Sequence, residues 1–397
     1  MSVTSQSIQV PRAVHLSALP PLSLYVHVPW CVRKCPYCDF NSHELRGELP
    51  ERDYVDALIR DLELASPSVW SRAVQTVFIG GGTPSLLSPA ALDRLLSEVR
   101  ARLVLAPDAE ITLEANPGTV EAKRFAGFRD AGINRLSLGV QSLDARHLQA
   151  LGRIHDRRQA LDAIVAARAS FDNINVDLMY ALPGQTLEQA LADVGEVLGH
   201  RPQHVSAYHL TIEPNTYFHR YPPQVPDEDA AADMQEQIEI LLGSYGYRHY
   251  ETSAFAQPGC QCRHNTNYWR FGDYLGIGAG AHSKISFRDR IVRQMRYKQP
   301  REYLQKVASG VPCLTDQEVE TEALPFEFMM NALRLTDGVD RTMFAERTGL
   351  AIASIAAPLR RAVELGLLVD SHQRLQPTLK GQRFLNDLLS VFIAENR

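Results

Sequence analysis

Three cysteines lie within eight residues of one another. Cys31, Cys35 and Cys38 follow a short apolar run and have the spacing C-x3-C-x2-C. A [4Fe–4S] cluster ordinarily takes one cysteine per iron, so three thiolates from one loop leave one iron open to another kind of ligand. The pattern therefore predicts a cluster that binds a cofactor and passes it an electron. A structural zinc site with His43 or Asp39 as fourth ligand is the alternative, although zinc sites favour C-x2-C spacing.

A second group of potential ligands lies much further along the chain. Cys260, Cys262 and His264 are followed by Tyr268 and Trp269. Imidazole is a good axial ligand for heme iron, and aromatic rings can pack against a flat macrocycle, so His264 is the candidate heme ligand. Three alternatives stay open: Cys262 as the ligand, zinc bound by the Cys-x-Cys-x-His run, or a purely structural loop whose rings fill a barrel mouth. No role is assigned to Cys260.

The bulk composition is that of an ordinary globular protein. Of 397 residues, 45% are apolar and 22% are charged, and no run approaches the roughly 18 apolar residues of a membrane-spanning helix. The stretch Met1–Pro21 lacks the apolar core of a secretory signal, so we expect a flexible leader on a cytoplasmic protein. A formal net charge of -5 gives no general attraction to phosphate backbones, so neither DNA nor RNA is an expected partner.

Strand and helix patterns alternate about six times in the first half of the chain. This alternation implies parallel strands joined by crossover helices, as a doubly wound sheet or a barrel, with active residues at the carboxyl ends of the strands. The predicted strands are Ser23–Val28, Thr76–Ile79, Ile111–Leu113, Arg135–Val140, Ile174–Met179 and Val205–Leu210, and the predicted helices are Asp53–Leu64, Pro89–Leu103, Val120–Asp130, Ala145–Leu151, Arg158–Ala169 and Leu187–Leu198.

The pattern changes in the second half of the chain. The loop-rich stretch Gln257–Ser283 follows an amphipathic helix at Glu228–Gly243 and is expected to fold over the open barrel mouth. Helices are then predicted at Glu318–Leu335, Met343–Thr348 and Ile352–Leu365, with a hairpin at Leu368–Pro377 and a last helix.

We expect these later elements to form a small winged-helix-like domain that packs or acts as a lid, because the charge argument for DNA binding is weak. The predicted organisation is a leader at 1–21, a barrel with a loop-rich extension at 22–300, and a C-terminal helical domain at 301–397.

The stretch from Tyr25 to Cys38, YVHVPWCVRKCPYC, resembles the signature of radical S-adenosylmethionine enzymes. Further matches, which run to about Ser283, resemble the anaerobic coproporphyrinogen III oxidase group of that superfamily. The resemblance implies a partial (β/α)6 barrel of the TIM type, in agreement with the α/β repeat. It also implies a [4Fe–4S] cluster and S-adenosylmethionine as cofactors.

By the same resemblance, polar groups near successive strand ends hold S-adenosylmethionine. Glycines after the second strand would let the backbone approach the amino group of the cofactor. Carboxylates suit ribose hydroxyls or an ammonium group, and a guanidinium suits a carboxylate. No catalytic residue is assigned. The implied cofactor residues are Tyr25, Gly81, Gly82, Thr83, Glu114, Gln141, Arg153 and Asp177.

Two positions separate the branches of this family. Members that decarboxylate coproporphyrinogen carry a fourth cysteine two residues after the third, where this chain has Phe40. The run His264-Asn265-Thr-Asn-Tyr268-Trp269 matches the H-N-x-x-Y-W motif of the HemW-type heme chaperones. The chain resembles the chaperone branch more, which implies heme as ligand and an apo-hemoprotein as acceptor. An oxygen-independent coproporphyrinogen III oxidase is the first alternative, a zinc protein with a winged-helix module is the second, and enzymatic activity is left open.

Replacing one cluster cysteine tests the metal assignment. In Cys31→Ala, iron and sulfide after anaerobic reconstitution should fall to background, because one of three thiolates is lost. Far-UV circular dichroism should be preserved, because the change lies in a loop and leaves the apolar strands intact. The control Cys260→Ala removes a cysteine without an assigned role and should keep the cluster. Unchanged iron and sulfide in the Cys31 variant would contradict the assignment.

Overall fold

Six parallel strands form the centre of the molecule. The computed structural model describes residues 14–118 and 122–393, and in it the six strands are neighbours in the order of the chain. The predicted α/β fold with a partial barrel is confirmed. The strands are β1 Leu22–Val28, β2 Ala73–Gly81, β3 Val104–Ala115, β4 Arg135–Gln141, β5 Ile174–Tyr180 and β6 His204–His209.

Helices connect these strands and cover their outer face. Capping boxes at Asp156 and Thr186 begin two of the helices, because each side chain accepts a backbone N–H three residues on. The helix predicted from Val120 is described only from Phe125, and residues 119–121 lie outside the described residues. The helices between the six strands are Glu51–Ala65, Pro89–Arg102, Phe125–Asp130, Ala145–Ala150, Arg157–Ser170 and Leu187–Gly199, with short 3-10 turns at Ser66–Val69 and Pro84–Leu86.

Alternation along each strand separates an apolar outer face from a polar inner face. The even-numbered residues of β1 are buried in the main hydrophobic core with the helices. Tyr25 and His27, between them, face the barrel interior and share a hydrogen bond. Further round the interior, Asn175 Nδ2 donates to Ser137 Oγ at 2.8 Å. The barrel therefore offers polar side chains to anything bound inside it.

Antiparallel strands extend the sheet at both edges. Beyond β6 lie β7 Arg248–Glu251 and β8 Ala254–Ala256, of which β8 pairs with β6. Beyond β1 the sheet continues with β9 Asp273–Ile277, which is parallel to β1. It ends with three antiparallel strands, β10 His282–Ser286, β11 Ile291–Arg296 and β12 Cys313–Glu318.

The prediction that Gln257–Ser283 is a loop is wrong, although Gly280 and His282 at its end do line the cavity beside Cys38. This stretch contains the helix Arg263–Trp269 and β9, and Asn267 of that helix donates to Ser23 Oγ (2.9 Å) at the amino-terminal end of β1. The helix therefore lies at the end of the barrel opposite the cysteines. Glycine in this stretch serves close packing, because a Cβ on Gly276 would collide with a backbone carbonyl of β10.

Further helices follow β6, and the later ones enclose a second hydrophobic cluster. Val14 and Leu16 belong to that cluster, whereas residues 1–13 of the predicted leader lie outside the described residues. Where a hairpin is predicted, Leu368 and Pro377 form an isolated antiparallel bridge. The helices after β6 are Tyr217–Arg220, Glu228–Ser244, Arg263–Trp269, Pro300–Ala308, Leu324–Ala332, Thr342–Thr348, Ala356–Glu364, Leu379–Arg383 and Leu385–Ser390, with a 3-10 turn at Ile352–Ile355 and a strand pair of Val339–Asp340 with Arg374–Leu375.

The predicted domain limits at 300 and 301 stay predictions. The helix Pro300–Ala308 packs on the helix Glu51–Ala65, and β12 forms the outer edge of the main sheet. None of the helices in the described part of the chain is long and apolar enough to cross a membrane.

Candidate cluster and cofactor site

The three clustered cysteines lie in the loop that leaves the carboxyl end of β1. Cys31 ends a two-residue stretch, Trp30–Cys31, that pairs in parallel with His43–Glu44. All three cysteines are free and partly buried. Burial is the main cause that raises the pKa of the Cys31 and Cys38 thiols, so without metal both stay protonated at neutral pH. Metal binding would release those protons.

The cysteine loop offers the donor atoms that a cluster takes. Within residues 14–118 and 122–393, no three His, Cys, Asp or Glu side chains converge as the ligands of a single ion do. In a cubane each cysteine binds a different iron. Three free thiols on one short loop at a strand end are a suitable donor set.

Next to this loop, the end of β2 is built from glycines that the packing requires. A Cβ on Gly82 would lie 2.5 Å from the Trp30 carbonyl oxygen, and a Cβ on Gly81 would lie 2.7 Å from the ring of His27. Gly81 also has a φ of 117°, a conformation that favours glycine. Its N–H donates to Glu114 Oε2 at 3.0 Å. The glycine stretch is therefore in direct contact with the cluster loop and β3.

Arg153 joins the cluster loop to the strand ends. Its Nη1 lies 3.7 Å from Cys35 Sγ, and its Nη2 donates to Asn116 Oδ1 and to the Gly139 carbonyl, both at 2.6 Å. Asn116 in turn donates to Thr83 Oγ1 at 3.0 Å. The Nε of Arg153 is buried and has no hydrogen-bond partner among the described residues. A ligand therefore reaches this donor only if neighbouring residues move.

Two inward carboxylates stand close enough to affect each other. Burial, and then the charge of Asp177, raise the pKa of Glu114 to about 7. Burial also raises the pKa of Asp177, although hydrogen bonds from Asn175, Ser206 and Ser137 oppose this. Without a ligand the pair is therefore poorly satisfied as two anions. A cation bound between them would favour the charged forms.

The predicted cofactor residues divide between two neighbouring cavities. A cavity of about 600 Å³ is lined by Tyr25, Gly81 and Glu114, together with Cys38. A second, of about 480 Å³, is lined by Thr83 and Arg153, together with Cys35. The cluster loop has a cysteine on each cavity. Of the remaining predicted residues, Gly82, Gln141 and Asp177 line neither of the two, and Gln141 ends β4 with a φ of 70°.

His264 lies at the other end of the barrel, 2% exposed. Thr76 Oγ1 donates to Ser23 Oγ and lies 2.8 Å from His264 Nδ1, so His264 donates through Nδ1 and keeps its lone pair on Nε2. Burial lowers the pKa of His264 to about 3, which keeps the ring neutral. Its Nε2 is buried without a partner among the described residues. The lone pair is chemically suited to iron, but a macrocycle reaches it only if the surrounding residues move.

The rest of the second motif makes structural contacts. Cys262 Sγ accepts the Asn265 N–H at 3.5 Å and so caps the helix Arg263–Trp269. Tyr268 stacks on Tyr274, with ring centroids 4.0 Å apart. Both rings also line a cavity that Cys38 lines, so the motif reaches the cluster side of the barrel. Heme ligation by His264 or Cys262 stays a prediction.

Two residues of the site escaped the sequence analysis. Tyr25 donates to His27 Nδ1 and His27 Nε2 donates to the Asn41 carbonyl, each at 2.9 Å, so His27 ties Tyr25 to the cluster loop. The signal was the two-residue spacing, which places both rings on one face of β1. Asn116 was also missed, although it follows Glu114 by two residues at the same strand end.

Comparisons with known proteins agree with this geometry. The model of the Radical SAM superfamily matches residues 25–195, and that of the HemN C-terminal domain matches residues 319–384. The heme chaperone HemW of Escherichia coli strain K12 is 51% identical over 379 residues, which cover 95% of this chain and 99% of that protein. HemW of Bacillus subtilis strain 168 is 32% identical and is covered to 99%, with 94% of this chain. Among solved structures, the radical SAM coproporphyrinogen III oxidase of Escherichia coli matches with a TM-score of 0.80 at 25% identity, covering 94% of this chain and 90% of that one.

Glu114→Gln tests the electrostatics of the site in the metal-free protein. The folded pKa of about 7 exceeds the unfolded value of 4.5, so the ionisable side chain destabilises the fold increasingly as pH rises between these values. The amide cannot ionise. Above pH 7 the variant should therefore be more stable than the parent, by roughly 1–3 kcal/mol in urea unfolding, and this advantage should vanish below pH 4.5.

The exposed control Glu322→Gln should show no such pH dependence. A Glu114 variant whose stability relative to the parent does not change between pH 4.5 and pH 8 would contradict the raised pKa.

Proposed function

The chain belongs to the HemW heme chaperone family of the radical SAM superfamily, and we propose that it binds a [4Fe–4S] cluster, S-adenosylmethionine and heme and passes the heme to an acceptor apo-hemoprotein. One observation carries the cofactor part of this proposal. Cys31, Cys35 and Cys38 lie in the loop after β1, and Cys38 lines a cavity together with Gly81 and Glu114. A reducing compartment suits three free cysteines that hold a cluster, so we place the protein in the cytoplasm.

The three cysteines would hold the cluster, which when bound supplies one open iron and a single electron. Arg153 is oriented by Asn116 and the Gly139 carbonyl beside the cluster loop, where a shift of its neighbours would let Nε donate to a carboxylate of S-adenosylmethionine. Preorganisation of this kind lowers the entropy that ligand binding costs.

The inward carboxylates suit the positive groups of the same cofactor. Glu114 already accepts the Gly81 N–H, which places the carboxylate and the glycine backbone at one point for an ammonium or hydroxyl group. Binding of a cation there would bring the pKa of Glu114 back towards the ordinary range. Tyr25 closes the cavity and is held in place by His27.

For heme, the candidate ligand from the motif is His264. Support comes from its neutral ring and its free Nε2 lone pair. Because that nitrogen is enclosed, ligation there requires the helix Arg263–Trp269 or the rings around it to shift. We propose that heme transfer uses such a movement.

A coproporphyrinogen III oxidase is the second candidate, favoured by the structural match to that enzyme over 94% of this chain. The residue at position 40 argues against the oxidase function. Phe40 is 61% exposed and occupies the place of the fourth cysteine that the oxidase branch carries.

Two assays on one divided sample distinguish the heme chaperone from the oxidase. After anaerobic reconstitution, one half is titrated with hemin and followed by absorbance, and the other half is assayed for coproporphyrinogen decarboxylation. We expect saturable heme binding without product. His264→Ala should weaken binding or change the Soret band, whereas the exposed control His372→Ala should do neither. Product at catalytic yield would instead make the oxidase the correct assignment.

A further inference from the structure

The 480 Å³ cavity is an open groove beside the cluster loop, and its walls are largely apolar. Two of its apolar side chains are unusually accessible, with Val32 49% exposed and Ile154 61% exposed. The apolar residues that line the groove are Val32, Leu45, Leu49, Leu86 and Ile154. A protein seldom leaves such a concave apolar surface uncovered unless it binds something there.

Two arginines in the groove lack anionic partners. Arg33 makes no hydrogen bond or ion pair with any residue in the described ranges. Arg124 reaches only the carbonyl oxygens of Ser85 at 3.5 Å and Leu86 at 3.3 Å. None of the described residues that line the groove is Asp or Glu. The groove therefore combines an apolar wall with two guanidinium groups whose charge nothing in the described chain neutralises.

His155 adds a nitrogen ligand to the same groove. Its Nε2 lies 3.1 Å from the Val140 carbonyl oxygen, which can only accept, so the N–H is on Nε2 and the lone pair is on Nδ1. A histidine that ligates a metal commonly donates its other ring N–H to a backbone carbonyl in this way. Imidazole is an established axial ligand of heme iron.

We propose that this groove binds heme, with the apolar walls against the macrocycle, Arg33 and Arg124 paired with the two propionates, and His155 Nδ1 on the iron. The inference rests on the proposed function as a heme chaperone. Charge and shape select this occupant: heme is an apolar disc with two carboxylates at one edge, and guanidinium pairs well with carboxylate. A small anion such as phosphate would leave the apolar walls uncovered.

A heme site in the groove also avoids the problem that His264, the ligand predicted from the motif, is enclosed. The groove is open in the described conformation, whereas the Nε2 of His264 is enclosed. Heme can therefore reach the apolar walls and the two arginines without a prior movement of the barrel floor. His155 is itself 6% exposed, so ligation of the iron by its Nδ1 requires a local shift of the ring.

Hemin titration of the reconstituted full-length chain tests this site. Arg33→Glu with Arg124→Glu should raise the Kd for hemin at least tenfold, because two favourable charge pairs become repulsive. The milder Arg33→Gln with Arg124→Gln should give an intermediate loss. The matched control Arg301→Glu with Arg360→Glu makes the same charge change at exposed positions on two other helices and should leave the Kd unchanged. Iron and sulfide contents equal to wild type show that the cluster loop is intact.

The assignment of His155 as the iron ligand is tested separately. His155→Ala should shift the Soret band of bound hemin, and the affinity for iron-free protoporphyrin should depend on the two arginines but not on His155. Full hemin affinity in both arginine double variants, or a Soret band that changes only in His264→Ala, would overturn the groove assignment and leave the chaperone function standing. Absence of saturable hemin binding in the wild type would overturn the proposed function itself.

Discussion

The contact of Arg153 with the cluster loop is the interaction on which the site depends. This one guanidinium touches the Cys35 sulfur, the Gly139 carbonyl in β4 and the amide of Asn116 beyond β3. It thereby fixes a loop that carries the metal ligands to the rigid ends of two strands. Because hydrogen bonds to a charged group are among the strongest in proteins, a loop without secondary structure of its own can be held in one place. Arg153 also lines the groove of about 480 Å³ beside Cys35.

The arrangement of the barrel explains why such a network is available. The strands bury apolar residues outward against helices and turn polar residues inward, where Glu114 and Asp177 face each other without a cation. Burial raises both pKa values, the charge of Asp177 raises that of Glu114 further, and a positively charged ligand would relieve this repulsion. The interior is therefore built for a ligand and not for maximal stability. The groove is similar. Arg33 and Arg124 line it without a carboxylate partner among the described residues, so a bound anion would neutralise their charge.

The sequence predicted the repeated part of this architecture well, because parallel strands and their crossover helices leave a local signature in apolar periodicity. The position of the cysteine loop after the first strand was also predictable, and the assignment of its thiols to a cluster stays a prediction. The stretch Gln257–Ser283 was misassigned because its glycines serve contacts with strands distant in sequence, as at Gly276. For the same reason neither the enclosure of His264 nor the role of His27 was predictable. Each depends on which strands become neighbours, and no pattern within a few residues contains that information.

The proposed function depends most on one iron of the cluster that has no cysteine ligand and that S-adenosylmethionine can reach. The most direct test is electron paramagnetic resonance of the reduced, reconstituted protein, recorded under strictly anaerobic conditions before and after addition of S-adenosylmethionine. We predict the signal of a [4Fe–4S] cluster whose g values shift when the cofactor is added, because the cofactor ligates the iron that lacks a cysteine. A cluster signal that saturating cofactor leaves unchanged, or a protein that takes up zinc and no sulfide, would contradict the account.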